Sequence, residues 1–281
     1  MNSPVYRMGG RTIDLARRGL VFGILNVTPD SFSDGGRWVD PDAAYAQALR
    51  LIEEGADALD LGGESTRPGS EGVDVAEEIR RVRPVLERLQ RGASNVPVSI
   101  DTSKPEVAGV ALELGASVVN DVTGLRLRDA SGRPEMAKLA AAHDASLIVM
   151  HMQGAPRTMQ QDPRYDDVVG EVGAYLREAA EASGLARERI AIDPGVGFGK
   201  SVEHSLELLR RIGDLAALGY PVMIGVSRKS LFQKLLDLPL TERLEAGLGA
   251  SIVAFERGAR LFRTHDVLAT VRALRTAEAL L

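Results

Sequence analysis

The sequence contains no cysteine. A chain without cysteine can form no disulfide framework, no zinc–thiolate site and no thiol nucleophile, and it suits a reducing compartment. Long apolar runs are also missing: none approaches the roughly 20 residues that cross a bilayer, and residues 1–7 lack the apolar core of a signal peptide. We therefore expect a cytoplasmic protein that does not enter a membrane.

An excess of charge of one sign is absent as well. The chain has 34 Lys and Arg against 39 Asp and Glu, interspersed along its length, and a net charge of −5. Such a balance offers no basic face for nucleic acid and no polybasic patch for a membrane surface. The four histidines show no His-x-His or His-Glu-x-x-His spacing, which argues against a zinc hydrolase.

What the chain does have is a regular alternation of short apolar runs and helical patterns, predicting one domain over residues 1–281. The predicted strands are 21–25, 58–61, 96–100, 118–119, 147–150, 190–192, 222–224 and 260–262. The helical patterns are 41–54, 75–89, 103–115, 134–143, 165–183, 201–218, 241–257 and the segment from 266 onward. Eight such units predict a parallel (β/α)₈ barrel, with a doubly wound open sheet as the alternative.

Two local signals refine this prediction. Gly9 and Gly10 lie between two short strand-like runs, which indicates an N-terminal β-hairpin that caps one end of the barrel. Ser103 and Glu106 have the spacing of a capping box, which predicts that they begin the third helix.

Chemically useful side chains follow every predicted strand. They are Asn26; the segment 62–69, which reads Gly-Gly-Glu-Ser-Thr-Arg-Pro-Gly; Asp101 and Thr102; Asn120 and Asp121; His151; Asp193; Ser227, Arg228 and Lys229; and Arg263 with His265. Because the carboxyl ends of barrel strands meet at one face, these side chains predict an active site there.

The chemistry of this set suggests two halves of a ligand. Arginines beside an imidazole suit a phosphate or pyrophosphate, since guanidinium binds such oxygens bidentately. Carboxylates and amides on strand ends suit a flat heterocycle with adjacent N–H donors. Magnesium held mainly by substrate phosphates, with Asn26 as the protein ligand, is compatible with the set because Mg²⁺ takes few protein ligands.

The segment Gly195-Val-Gly-Phe-Gly-Lys-Ser imitates two nucleotide-binding motifs. The Walker A pattern needs glycine where Pro194 stands, and the dinucleotide pattern needs glycine where Lys200 stands, so both fail. The pattern is equally compatible with two interpretations. In one, the glycines only shape a loop; in the other, the loop also brings Phe198 into the site.

Charged residues outside these motifs have simpler interpretations. Lys229 has two interpretations, a solvated loop lysine and a site residue, and its place after the seventh strand favours a role in the site. Glu64, Glu77 and Glu78 are interpreted as loop and helix-start charges.

Taken together, the motifs resemble those of the dihydropteroate synthases over nearly the whole chain. They are 26–36 (Asn-Val-Thr-Pro-Asp-Ser-Phe-Ser-Asp-Gly-Gly), 62–69, 99–102 (Ser-Ile-Asp-Thr), 120–122 (Asn-Asp-Val), 150–154 (Met-His-Met-Gln-Gly), 193–200, 227–230 (Ser-Arg-Lys-Ser) and 263–266 (Arg-Thr-His-Asp). The resemblance implies a (β/α)₈ barrel and Mg²⁺-assisted condensation of 6-hydroxymethyl-7,8-dihydropterin pyrophosphate with para-aminobenzoate. It also implies a homodimer formed through late barrel helices.

The resemblance assigns three groups of site residues. The pterin is implied to bind to Asp101, Asn120, Met150, Asp193 and Lys229. Pyrophosphate and magnesium are implied to bind to Asn26, Arg67, Arg263 and His265. The aminobenzoate pocket is implied to contain Phe32, Thr66, Pro68, Phe198 and Ser230. Of these residues, Asp101, Lys229, Asn26 and Arg67 are expected to be catalytic.

Two alternatives stay open. A pterin-dependent methyltransferase would share the pterin residues but would need no pyrophosphate clamp. A catalytically silent pterin-binding paralogue would be expected to have lost Arg67, Lys229, Arg263 or His265, all of which this chain keeps. The long segment 126–133 after the fourth strand departs from the expected pattern and leaves the edge of the pterin pocket undefined.

Overall fold

Parallel strands close into an eight-stranded barrel in the computed structural model, which describes residues 4–28, 40–65, 70, 72–92, 95–155 and 157–281. An antiparallel hairpin, β1 and β2, precedes the barrel strands β3 to β10, and β10 pairs with both β3 and β9 to close the ring. This order confirms the predicted (β/α)₈ barrel and excludes the open sheet.

The strands and helices alternate as the sequence predicts. The strands are β1 Val5–Met8, β2 Arg11–Asp14, β3 Leu20–Asn26, β4 Ala58–Gly62, β5 Val98–Asp101, β6 Val118–Asp121, β7 Ser146–Met150, β8 Ile190–Asp193, β9 Val222–Ile224 and β10 Ala259–Thr264. The α-helices among the described residues are α1 Pro41–Glu53, α2 Val75–Arg91, α3 Pro105–Glu113, α4 Glu135–Ala142, α5 Val168–Ser183, α6 Val202–Arg210, α7 Ile212–Ala216, α8 Leu231–Leu236, α9 Leu244–Glu256 and α10 Val267–Leu280, with short 3₁₀ turns at Arg187–Arg189 and Leu240–Glu242.

The hairpin closes the end of the barrel at which the strands begin. Tyr6 and Met8 are buried in a cluster with inward-facing strand residues such as Phe22 and Ile148. The Ser146 hydroxyl at the start of β7 donates to the Arg7 carbonyl at 2.5 Å. Within the described part of the chain, the opposite end, where the strands finish, is the end that the hairpin leaves uncovered.

Helix boundaries differ from the sequence prediction where local signals compete. The Ser103–Glu106 capping box is wrong: α3 begins at Pro105, and its N-cap Lys104 makes no side-chain capping bond. Proline at the first helical position, whose missing N–H would be unpaired there anyway, sets this boundary instead.

Three other predicted helices also change. The helix predicted from residue 165 begins at Val168. The one predicted over 201–218 breaks at Arg211 into α6 and α7. The one predicted over 241–257 begins at Leu244, and the six-residue α8 before it was not predicted because it is too short to show a helical period.

No helix within the described residues is long and apolar enough to cross a membrane.

The segment 126–133 after β6 forms an ordered turn in which Asp129 accepts bonds from the Ser131 and Arg133 amides. Its first residue, Arg126, donates to the Met152 carbonyl and so joins this turn to the loop after β7.

Candidate active site

Asp60 and Asp101 bind the guanidinium of Arg263 at the carboxyl end of the barrel. Arg263 Nε donates to Asp60 Oδ2 at 2.5 Å, and Arg263 Nη2 donates to Asp101 Oδ2 at 2.6 Å. Asn120 Nδ2 donates to the same Asp60 oxygen at 3.2 Å. Asp60, which the sequence pattern did not single out, thus joins the predicted pterin residue Asn120 to the predicted pyrophosphate residue Arg263. Arg263 in turn binds the second predicted pterin residue, Asp101.

Asp101 is placed to accept a ligand hydrogen bond. Its Oδ1 is buried and has no hydrogen-bond partner among the described residues. Burial raises the pKa of Asp101 to about 7; Arg263 opposes this rise and the like charge of Asp60 adds to it. A buried, unpartnered acceptor costs free energy until a donor reaches it, which favours binding of an N–H group at this point.

Asp193 and Lys229 form the second charged group of the site. Asp193 Oδ1 accepts from the Gly195 amide at 2.7 Å, and burial raises the pKa of this carboxyl while the nearby Lys229 charge lowers it. Lys229 Nζ donates to the Val196 carbonyl and lies 4.4 Å from the centre of the Phe198 ring. Burial lowers the pKa of Lys229 to about 8, against the attraction of Asp193. The solvated-loop interpretation of Lys229 is therefore wrong.

Glycines in the loop after β8 bring two strand ends together. Gly195 has φ +64°, and a Cβ there would lie 1.9 Å from the His151 carbonyl oxygen. The glycines thus shape the loop, as one interpretation held. Phe198 packs against the methionine cluster of the same face, Met150, Met152 and Met159, so the loop also forms a wall of the site.

A buried lysine lies behind that wall. Lys200 Nζ is 3.0 Å from His151 Nδ1 and donates to the carbonyls of His151 and Phe198 at 3.3 and 3.0 Å. Burial lowers the pKa of Lys200 to about 7, and burial with the nearby Lys200 charge lowers the pKa of His151 to about 3, so the imidazole is neutral. Lys200 therefore links the loops after β7 and β8.

His265 lies at the end of β10 and contacts the loop after β9. Its Nδ1 is 3.1 Å from Ser227 Oγ, and its amide donates to the same hydroxyl at 3.2 Å. The next residue, Asp266, binds Arg228, with 2.6 Å between Nη2 and Oδ1. These contacts hold the segments with Lys229 and His265 side by side.

The remaining predicted residues lie around this centre. Asn26 ends β3 beside Gly62, where a Cβ would be 3.4 Å from its Oδ1, and its half-buried amide has no hydrogen bond to a described residue. Met150 ends β7 in register with Asp193 and is buried. Ser230 is exposed at the start of α8.

Four predicted site residues cannot be placed. Phe32, Thr66, Arg67 and Pro68 lie outside the described residues. The aminobenzoate pocket and the Arg67 part of the pyrophosphate site therefore stay predictions.

Glu78 lies in the first turn of α2, as interpreted from the sequence, but it is buried rather than at the surface. Its side chain is 0% exposed and accepts from Lys104 Nζ at 2.6 Å. Lys104 also binds Glu64 at 2.6 Å, and Glu64 Oε1 accepts from the Val73 amide at 3.0 Å. Glu77 lies in the same first turn but is only partly buried, and it pairs with Arg80 and Arg81. Burial of Glu78 against β4 is a tertiary effect that helix position alone does not reveal.

Asp60 is the main site residue that sequence reasoning missed. It lies in the middle of β4, within Ala-Leu-Asp-Leu-Gly, and is 0% exposed. A carboxylate inside an otherwise apolar strand was the available signal, because unpaired charges are rarely buried.

The fold and the site together define a class. A (β/α)₈ barrel whose open end carries buried carboxylates, an amide and the basic side chains of Arg263, Lys229 and His265 is suited to bind a flat N–H-bearing heterocycle with an anionic group attached.

Comparisons with known proteins narrow this class. A family model described as "Pterin binding enzyme" matches residues 22–265. The chain is 42% identical to the dihydropteroate synthase of Escherichia coli strain K12 over 275 residues, which is 97% of this chain and 95% of that protein. The Xanthomonas albilineans dihydropteroate synthase solved with 4-aminobenzoic acid is 44% identical, covers 99% of this chain and 98% of its own, and superposes with a TM-score of 0.88. The same enzyme in complex with 7,8-dihydropteroate gives 42% identity over the same shares of the two chains and a TM-score of 0.84.

The chain belongs to the dihydropteroate synthase family of pterin-binding enzymes.

Proposed function

We propose that this chain is a transferase that condenses 6-hydroxymethyl-7,8-dihydropterin pyrophosphate with para-aminobenzoate. The products are 7,8-dihydropteroate and pyrophosphate, in folate biosynthesis. Relatives of about 42% identity over almost the full length carry this function, and related structures contain 4-aminobenzoic acid and 7,8-dihydropteroate. The structural observation that carries the proposal is the buried carboxylate pair beside Arg263, with Asp101 Oδ1 unpartnered among the described residues.

The carboxylates would bind the pterin ring through its N–H groups. Asp101 Oδ1 offers one acceptor, and Asp193, whose Oδ1 already accepts from Gly195, offers its second oxygen. Asn120 directs its Nδ2 toward Asp60, so its carbonyl oxygen is free to face the ring. Lys229 lies beside Asp193 and would donate to a ring acceptor. Acceptors on rigid strand ends fix the ring before the reaction begins.

The chemical step exchanges one bond for another at the pterin methylene. The carbon–oxygen bond to pyrophosphate breaks, the amine nitrogen of para-aminobenzoate bonds to the methylene carbon, and the amine loses a proton. We propose that the leaving group departs first. The buried carboxylates at Asp60 and Asp101 stabilise the positive charge that then develops on the pterin, while nearby cations favour the departing pyrophosphate.

Pyrophosphate would be bound by His265 and Arg263, with Arg67 expected to contribute. Arg263 already uses Nε and Nη2 for Asp60 and Asp101, so only its remaining donors can reach an anion without breaking those bonds. His265 is half-buried beside Ser227 at the same strand end. We therefore assign Arg263 to both the pterin and the pyrophosphate parts of the site.

The residues present fit a magnesium ion that is held mainly by substrate. Within the described ranges no three His, Asp or Glu side chains form a metal-binding group. Asn26 supplies one amide oxygen that has no hydrogen bond to a described residue, which suits an ion that keeps phosphate and water ligands. When bound, magnesium would offset negative charge on the pyrophosphate leaving group.

The two alternative functions lack comparable support. A pterin-dependent methyltransferase would need no pyrophosphate clamp, yet Arg263 and His265 both lie at the described site. A silent paralogue would be expected to have lost Lys229, Arg263 or His265, and all three lie at this site. Conversion of substrate distinguishes all three functions.

We also propose a homodimer that uses the outer faces of α8 and α9. Leu235, Leu236 and Val253 are exposed on these helices, and Gly249 has open space around its Cβ position. Ser251 instead is buried and donates to a carbonyl of its own helix, so that side of α9 packs on the barrel. Exposed apolar side chains on α8 and α9 favour association with a second copy. Sedimentation at micromolar concentration should show a dimer, and Leu236→Asp should shift it toward monomer; a wild-type monomer would exclude the dimer.

The activity assay measures pyrophosphate release with each component omitted in turn. Release should require the pterin pyrophosphate, para-aminobenzoate and magnesium together, and dihydropteroate should form in equal amount. Lys229→Met should abolish most of the turnover. Binding of pterin without turnover would indicate the silent paralogue, and methyl transfer from a methylated pterin would indicate the methyltransferase. The proposal also places the reaction in the cytoplasm, which fractionation of the producing cells would test.

A further inference from the structure

Arg243 is a buried arginine outside the site described above. It precedes α9, is 7% exposed, and no carboxylate among the described residues pairs with it. Its three hydrogen bonds go to neutral acceptors: Nε to the Leu238 carbonyl at 3.0 Å, Nη1 to the Arg228 carbonyl at 3.2 Å, and Nη2 to Gln233 Oε1 at 2.9 Å. Burial of a guanidinium without a counter-charge costs free energy, which its three hydrogen bonds to neutral acceptors must offset.

Two of these acceptors lie where the backbone turns left-handed. Arg228 has φ 58°, and Asp237, the residue before Leu238, has φ 54°. Residues with side chains adopt this conformation at a cost of about 1–2 kcal/mol, and only when surrounding contacts hold them there. The guanidinium therefore binds both ends of the segment 228–238 and, through Gln233, the α8 helix between them.

The Arg228 carbonyl belongs to the same planar peptide unit as the Lys229 amide. Arg243 binds that peptide at its oxygen, and the Val226 carbonyl accepts from its N–H at 3.3 Å. With both polar atoms of this peptide held, the peptide plane and the Lys229 Cα are held in place, which restricts the directions in which the Lys229 side chain can leave the backbone. The Lys229 Nζ then lies 4.4 Å from the centre of the Phe198 ring, and the negative charge of Asp193 attracts it.

Apolar packing holds only part of this segment. Leu231 and Phe232 of α8 are buried in the main hydrophobic core, whereas Arg228 is exposed. A cavity of about 10 Å³, room for roughly one water, is lined by Arg243, Arg228 and Gly247. Hydrogen bonds from Arg243 therefore add to the packing of α8 and hold the polar backbone at both ends of the segment.

We propose that Arg243 is a positioning residue for the reaction, which acts by fixing the Arg228–Lys229 peptide and so aims the Lys229 ammonium at the pterin. This inference rests on the pterin-binding role of Lys229 proposed above. It assigns to Arg243 no contact with substrate.

The test is a double-mutant cycle between Arg243 and Lys229, read as affinity for 6-hydroxymethylpterin by calorimetry. Arg243→Lys keeps the charge but removes the planar fork that spans three acceptors. We expect Arg243→Lys to weaken binding about tenfold, and to weaken it less than twofold in a Lys229→Met background. The KM for the pterin pyrophosphate should rise with the dissociation constant.

A matched control lies at the other end of the same helix. Arg257 follows α9 and donates one bond, to the Leu209 carbonyl at 3.1 Å, so Arg257→Lys should leave pterin affinity unchanged. Gln233→Leu removes one of the three acceptors and leaves Arg243 in place, and should weaken binding two- to threefold even if Arg243→Lys fails to fold.

The outcomes separate the two proposals. Unchanged affinity in both Arg243→Lys and Gln233→Leu, or an equal loss for Arg243→Lys with and without Lys229, would overturn the positioning role while leaving the proposed function intact. Wild-type affinity in Lys229→Met alone would overturn the pterin role of Lys229 and this inference with it. The dependence of the Arg243→Lys effect on Lys229 is the result a purely structural role would not give.

Discussion

Replacement of Asp60 by asparagine tests the charged centre of the site. Asp60→Asn keeps the shape of the side chain but removes the charge that binds Arg263 Nε at 2.5 Å. Hydrogen bonds to charged groups contribute about 1.5–3 kcal/mol, and Arg263 keeps its second partner, Asp101. We therefore expect kcat/KM for the pterin pyrophosphate to fall by about 10- to 150-fold.

The pH dependence gives a sharper readout of the same change. The pKa of Asp101 is raised to about 7, first by burial and further by the like charge of Asp60. If the carboxylate form binds the pterin, wild-type kcat/KM should rise as pH increases through about 7, because ionisation creates the acceptor. Asp60→Asn removes the repulsion and leaves Arg263 to Asp101, and both effects lower the pKa of Asp101. The inflection should therefore move to lower pH.

Asp57→Asn is the control for this experiment. Asp57 precedes the same strand at the opposite end of the barrel, where it binds Arg18 and the Val21 amide. It should leave both kcat/KM and the inflection unchanged. An Asp60→Asn enzyme with wild-type kcat/KM and an unshifted inflection would refute the electrostatic account of the site.

Two further predictions concern contacts that support the site. Lys104→Met leaves Glu78 buried without its partner, so the free energy of unfolding should fall by about 3–5 kcal/mol in denaturant titrations. The control Lys138→Met removes an exposed ion pair and should cost less than about 1 kcal/mol; equal losses would show that burial of Glu78 is unimportant. Gly195→Ala should lower pterin affinity about tenfold or more, because its Cβ would meet the His151 carbonyl. The control Gly10→Ala, at φ +74° in open space, should cost only about 1 kcal/mol of stability; a fully active Gly195→Ala enzyme would contradict the loop geometry.

Much of the fold followed from the sequence because each strand and helix carries its own local signal. Short apolar runs that end in polar residues gave all eight barrel strands to within a few residues, and the Gly9-Gly10 turn gave the hairpin. The α8 helix was missed because six residues do not establish a period. The capping box at Ser103 failed because Pro105 fixes the helix start instead.

The site was predictable where its residues stand at strand ends and not where they act from elsewhere. Asp101, Asn120 and Asp193 follow or end apolar runs, and the topology alone brings them together. Asp60 stands inside a strand, and Arg243 binds the Arg228 carbonyl from 15 residues away. Such contacts depend on how separate elements meet in space, which periodicity does not encode.

Strand-end carboxylates bind the pterin ring in this account of the site. Calorimetric titration of 6-hydroxymethylpterin into the wild-type protein and into Asp193→Asn tests that binding most directly. Asparagine replaces a charged acceptor by a weaker one and adds N–H donors where the ring also donates. The binding free energy should become less favourable by about 1.5–3 kcal/mol, which makes the dissociation constant roughly 10- to 150-fold larger. An Asp193→Asn protein that folds normally and binds the pterin as tightly as wild type would contradict the account.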